Sequence, residues 1–147
     1  MKLELAEFEE LVSELQKTRK NVWWIKEMLP KSQLIPLLTG ADLFLCPSIY
    51  EPLGIVNLEA MACQTAVLAS RVGGIPEVVD DGITGQLVDY NTDSSIFESN
   101  IATGISEMMG DPERLKRYGA AGRNRAINEF GWDAIATATI ALYRSVL

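Results

Sequence analysis

Two glutamates, Glu51 and Glu59, stand with seven residues between them in the run Pro47-Ser48-Ile49-Tyr50-Glu51-Pro52-Leu53-Gly54-Ile55-Val56-Asn57-Leu58-Glu59-Ala60-Met61-Ala62. The run predicts the end of a buried strand, a tight turn through Pro52 and Gly54, and the start of a helix. The first N–H groups of a helix lack intrahelical partners and carry a partial positive charge, so a diphosphate suits them. Glu51 lies just ahead of those donors, and Glu59 about two turns along, up to roughly 12 Å away at 1.5 Å per residue. One carboxylate can hold a group at one end of a phosphate-centred ligand while the other holds a group further along. That is the layout a nucleotide-sugar needs. The plain alternative is a pair of surface glutamates at a helix start. Gly54 and the later pair Gly73-Gly74 fit backbone demands and close ligand approach equally well, and the two explanations are compatible.

These residues need a scaffold, and the hydrophobic pattern supplies one. Leu5, Phe8, Leu11, Val12 and Leu15 recur at helical spacing and predict an amphipathic helix over residues 4–18 with a solvated acidic face. Val22-Trp23-Trp24-Ile25 is rich in β-formers and predicts a strand, with both tryptophans in the core rather than forming a sugar-stacking platform. A helix follows at 33–39, where Pro36 is tolerated because the first turn has no N–H bonds to lose. Asp42–Cys46 reads as a strand buried on both faces, and the glutamate-bearing helix runs over 54–63. Ala66–Ala69 is a further strand, Gly73-Gly74-Ile75-Pro76 breaks the chain after it, and Gln86–Val88 is the last strand, beyond the Asp81-Gly82 turn. Three helices close the chain. The first carries Phe97, Ile101, Ile105 and Met108; the second opens at Asp111-Pro112, an N-cap followed by proline; the third carries Trp132, Ile135, Ile140 and Tyr143. Strand–helix alternation predicts an α/β, Rossmann-like parallel sheet with helices on both faces, which binds ligands at the carboxyl ends of its strands. The Glu51 turn and the Gly73-Gly74 turn both fall at such ends.

Composition narrows the function classes. A chain of 147 residues makes one domain at most. A net charge of −7 argues against nucleic acid and against an acidic membrane surface. No apolar stretch reaches the ~18 residues of a membrane span, and carboxylates at Glu4 and Glu7 replace the apolar run of a signal peptide. Cys46 and Cys63 sit in apolar contexts, as free thiols in a reducing cytosol would, so the expected location is cytoplasmic. Histidine is absent, which excludes a His-based triad and His-ligated metal. Asp80-Asp81 reads as turn chemistry before Gly82 rather than a metal-binding pair. Arg71 reads as a surface arginine rather than a phosphate clamp. Neither metal nor cofactor is expected.

With these motifs in place, the chain resembles the carboxy-terminal, donor-binding domain of retaining glycosyltransferases of the two-Rossmann-domain (GT-B) type, family four. The resemblance rests on Pro47-Ser48, Glu51-Pro52, Gly54 and Leu58-Glu59-Ala60-Met61-Ala62. Gly73-Gly74-Ile75-Pro76-Glu77 and Asp81-Gly82 with Thr84-Gly85 extend it over essentially the whole chain. The wording Tyr50–Glu59 is most similar to bacterial glycogen synthases and the related maltose-1-phosphate synthases, which use ADP-glucose. The resemblance implies that Glu51 contacts the hexose hydroxyls near the reacting carbon. Leu53, Gly54 and Ile55 would offer backbone N–H groups to sugar and diphosphate, and Glu59 would accept from the ribose. Met28 and Leu29 match, more loosely, the place where the family's backbone reads the base. The implied reaction is metal-free glucosyl transfer with retention to an α-glucan or related acceptor, the leaving diphosphate being stabilised electrostatically.

The resemblance also implies what this chain lacks: the acceptor domain, and the first donor-domain strands with their Arg and Lys-Gly cations. Residues 1–147 are therefore expected to be a partial donor domain, inactive alone and reaching a glucan only through the missing domain. The Val22–Ile25 strand would have lost its usual neighbour, leaving either direct pairing with the Leu43–Cys46 strand or a sticky edge that drives self-association. Two rivals stand beside the glycogen-synthase-like reading. One is a sucrose-phosphate-synthase-like or mannosyltransferase relative using a UDP- or GDP-sugar. The other is a non-catalytic nucleotide-binding or interaction module.

Overall fold

Helix α1 (Lys2–Thr18) begins the chain in the computed structural model, which describes residues 2–146 and side-chain surroundings from residue 6 onward. It belongs to a first unit, Met1–Pro30, and all other elements belong to a second, Lys31–Leu147. In the first unit the predicted Val22–Ile25 strand does not form; those residues run without strand pairing. A strand is stabilised by its neighbour, and the sheet pairs contain no partner for this segment. The expectations that hung on it, pairing with Leu43–Cys46 or an exposed strand edge, fall with it. Side chains hold the segment to α1 instead. Trp24 meets Phe8 edge-to-face at 5.2 Å, Lys26 lies 4.6 Å over the Trp24 ring, and Lys26 pairs with Glu9 at 2.8 Å. Trp23 is 80% exposed, so it is no core residue.

The second unit runs α2 (Lys31–Thr39), β1 (Leu43–Cys46), α3 (Ile55–Ala62), β2 (Ala66–Arg71), α4 (Ile75–Val78) and β3 (Gly85–Asp89). Helices α5 (Ser94–Met109), α6 (Pro112–Phe130) and α7 (Trp132–Val146) complete it. The strands pair in parallel in the order β1-β2-β3, with Leu43 opposite Ala66 and Val67 opposite Gly85. Central β2 shows why helices cover both faces. Val67 and Ala69 pack into one cluster with Ala60, Met61, Ile75, Val78 and Ala126. Ala66 and Leu68, pointing the other way, pack with Phe97 and Met108 of α5.

Two local expectations need correction. Strand β1 is not buried on both faces: Cys46 is buried but Leu45 is exposed, because the apolar cluster on the Leu45 side is built on β2, β3 and α5. Helix α2 starts two residues earlier than the pattern suggested, which puts Pro36 beyond the first turn. The helix therefore forgoes an interior hydrogen bond there, and closes with Gly40 N–H donating to the Pro36 carbonyl at 3.0 Å. Both cysteines are free thiols, Cys46 buried and Cys63 half-buried. No helix among the described residues is long and apolar enough to cross a membrane.

The caps of the last helices have a pH consequence. Asp93 accepts from Ser95 N–H at 3.0 Å and from the Ser95 hydroxyl at 2.7 Å. Asp111 accepts from Arg114 N–H at 2.9 Å, with Pro112 at the first helical position as the sequence predicts. Each carboxyl is held below the ordinary value of 3.8, Asp93 chiefly by the Ser95 hydroxyl and Asp111 chiefly by the Arg114 backbone N–H. Folding thus favours the ionised forms. Their contribution is complete above the unfolded value and is lost as pH falls through the lower folded value. Melting curves of the native chain and of Asp93→Asn/Asp111→Asn should therefore converge with acidification below about pH 4. Acid profiles that stay parallel would contradict this linkage.

Candidate functional site

Strands β1 and β2 run parallel and side by side, so the loops after Cys46 and Arg71 emerge together at the carboxyl edge of the sheet. Buried Ser70 ties them at the base: its hydroxyl donates to the Ser48 carbonyl, with the Cys46 carbonyl at 3.4 Å. Above it the two turns interlock. Gly74 N–H donates to the Glu51 carbonyl at 3.0 Å. A β-carbon on Gly73 would stand 1.9 Å from the Glu51 carbonyl oxygen, and one on Gly74 would stand 2.3 Å from that of Pro52. Glycine is required at both places by contact. At Gly73 a φ of +51° requires it a second time.

The interlock sets the start of α3. Gly54 is its N-cap, with φ of 91°, and its carbonyl accepts from Asn57 N–H at 2.9 Å. The Glu51 carboxylate turns back to accept from Gly54 N–H at 3.1 Å. One of the three backbone donors expected for a diphosphate is therefore held by the glutamate expected to hold the sugar. The N–H groups of Ile55 and Val56 precede the first helical donor, Asn57 N–H, and have no helical partner. The Leu53, Ile55 and Val56 side chains are exposed around this turn, and Glu51 is half-buried.

Glu59 lies further along α3, half-buried, in the wall of a cavity of about 300 Å³ between α2, α3 and α6. Lys31 and Arg123 line the same cavity with Leu34, Leu38 and Cys63. Glu51, Leu53, Gly54 and Ile55 thus share one turn, and Glu59 stands farther along the same helix. Met28 and Leu29 lie in the Met1–Pro30 unit, Met28 98% exposed and Leu29 half-buried.

Two residues near these positions escaped sequence reasoning. Arg123 comes from α6, and nothing in its local sequence connects it to Glu59. Asn57 lies in the apolar run of the motif helix, where nothing in the sequence singled it out; it is fully buried. Arg71, read from the sequence as a surface arginine, is part-exposed and held in ion pairs. It pairs with Asp81 at 2.5 Å and Asp89 at 2.8 Å, while Asp81 also accepts from Leu87 N–H at 2.8 Å. Such a cation stitches the ends of β2 and β3 and is already neutralised. Arg71→Ala should leave nucleotide affinity within about twofold of the parent, by calorimetry, since a partly exposed pair contributes little; a tenfold loss would restore the phosphate-clamp role.

Comparison with known proteins bears on this geometry. A family profile described as Glycosyl transferases group 1 matches residues 3–125. The chain is 52% identical over 136 residues to alpha-maltose-1-phosphate synthase of Mycolicibacterium smegmatis, covering 92% of this chain and 35% of that protein. It is 35% identical over 115 residues to glycogen synthase of Mycobacterium tuberculosis, covering 78% of this chain and 27% of that one. Among solved structures, a sucrose-phosphate synthase from Thermosynechococcus elongatus superimposes with a TM-score of 0.81 at 34% identity. That match covers 98% of this chain and 34% of the other. The chain spans about a third of the length of the curated relatives it matches.

Proposed function

The chain belongs to the group 1 glycosyl transferases, and on that premise we propose that it is the donor-binding part of a retaining glucosyltransferase. The donor in this reading is ADP-glucose and the acceptor an α-glucan or a related sugar, these residues supplying the donor side of the site. One observation carries it: the interlocked turns bring Glu51 and the free N–H groups of α3 to one spot at the carboxyl edge of a parallel sheet. Glu51 would hold the hexose hydroxyls, and Leu53, Gly54 and Ile55 the sugar and diphosphate through backbone N–H. Glu59 would take the ribose. For Gly54 to serve the diphosphate, the Glu51 carboxylate must let go of its N–H. Backbone donors aimed at the leaving diphosphate then stabilise developing charge without a protein base. The free cysteines support a cytoplasmic location.

Thermal shift of a longer protein carrying this segment tests the donor. ADP-glucose should raise Tm more than UDP-glucose or GDP-mannose at equal concentration. The likeness to a sucrose-phosphate synthase favours a second reading with a UDP-sugar donor, and a larger shift with UDP-glucose would establish it. The 147-residue chain by itself should bind ADP-glucose no tighter than about millimolar, near −4 kcal/mol, and should transfer no glucose. Helix N-terminal donors contribute ~0.3–1 kcal/mol against a domain of net charge −7. Micromolar affinity by calorimetry would mean that an internal cation completes the site.

A further inference from the structure

Asn57 sits in the first turn of α3 with its side chain wholly buried, and neither its amide nitrogen nor its amide oxygen has a hydrogen-bond partner among the described residues. A buried amide without partners carries its desolvation cost with no return, whereas an apolar side chain of similar size would carry none. Asparagine is also a weak helix former. Stability alone therefore does not explain this residue.

Its position does. The Asn57 amide nitrogen lies 2.7 Å from the point where a Gly54 β-carbon would stand, and Glu51 Cγ lies 3.6 Å from the same point. The amide and the middle of the glutamate side chain thus both border the space that glycine leaves empty. Across that space Glu51 is engaged with the Gly54 N–H. Resting on the donor-site reading above, we propose that Asn57 is a positioning residue: its amide takes over the Glu51 carboxylate when the Gly54 N–H passes to the diphosphate of the donor. The carboxylate exchanges one donor for another within the same turn, so Glu51 stays aimed while the helix start opens to the ligand. Gly54 is needed for the exchange as well as for its own φ, because a β-carbon would occupy the path between the two side chains.

The test uses the ¹⁵N-labelled 147-residue chain, small enough for every amide to be followed, titrated with ADP-glucose and, in parallel, UDP-glucose and GDP-mannose. In the native chain the Leu53, Gly54 and Ile55 amides and the Asn57 side-chain NH₂ should all shift saturably. Asn57→Leu should melt at or above the native temperature yet bind at least fivefold more weakly. Its Gly54 amide should also stay near its starting shift while Leu53 and Ile55 still respond, because Glu51 would have no other donor to move to. Asn57→Ala should reproduce the affinity and Gly54 results if leucine proves too bulky to fold. Native-like affinity and a native-like Gly54 shift in these variants would overturn the role of Asn57 alone. So would a melting temperature lowered by several degrees with binding unchanged, which marks a residue that only packs. Failure of the native chain to respond to any of the three sugars at roughly 20 mM, well above the ~1 mM dissociation constant set for this chain, would overturn the donor-site reading itself, and the exchange with it.

Discussion

Gly73→Ala is expected to destabilise the Lys31–Leu147 unit by about 3–5 kcal/mol, at the upper end of single substitutions. A positive φ in a residue with a β-carbon costs ~1–3 kcal/mol. Here the φ is +51°, and the new atom would also stand 1.9 Å from the Glu51 carbonyl oxygen, so the backbone of one turn must move. That backbone is rigidly held. It carries the Gly74-to-Glu51 hydrogen bond, and behind it Ile75 is fully buried. A domain of this size shifts its Tm by roughly 3–5 °C per kcal/mol, so the variant should melt far below the native chain or fail to fold. Gly82→Ala is the control, with φ of +76° and nothing within 4 Å of the added carbon. It should cost only the dihedral term, about 1–2 kcal/mol. Equal losses for the two variants would show that the contact between the turns adds nothing to the dihedral cost.

Glu51→Ala and Glu59→Ala should separate cleanly in an intact enzyme carrying this segment. On the proposed roles Glu51 touches the reacting sugar, so its loss should lower kcat strongly, on the order of 10²-fold or more, as removal of a preorganised group at the reaction centre does. The same substitution frees the Gly54 N–H from its present acceptor. Affinity for the nucleotide diphosphate alone should therefore be kept or improved. Glu59 stands farther along the helix in the cavity shared with Lys31 and Arg123. Its alanine variant should mainly weaken nucleotide binding, by about 1–3 kcal/mol for hydrogen bonds to a charged group, with kcat at saturation little changed. Steady-state kinetics and calorimetry with the diphosphate read both quantities. Equal, small effects of the two substitutions on both would sink the assignment.

What the sequence by itself determined is what short-range rules govern. The Asp111-Pro112 start of α6 was legible because a cap needs only its own backbone donors. The alternation of β1, α3, β2 and β3 was legible because buried strands and helices carry their periods in the residues themselves. So was the place of Glu51 ahead of a helix start. The parallel pairing of strands followed from their alternation with helices. What only the tertiary structure decided depends on partners distant in sequence. Val22–Ile25 has the composition of a strand, yet pairing takes a neighbour, and its tryptophan packs on Phe8 instead. Leu45 is apolar yet exposed, because which part of a sheet face a helix covers is decided by packing between elements. The burial of Asn57, the engagement of Arg71 by Asp81 and Asp89, and the approach of Arg123 to the wall that holds Glu59 are likewise set by packing between elements. The interlock of Glu51 with Gly73 and Gly74 belongs there too. Each turn has its own local signal, but their contact exists only because parallel pairing of β1 and β2 brings both strand ends to the same edge.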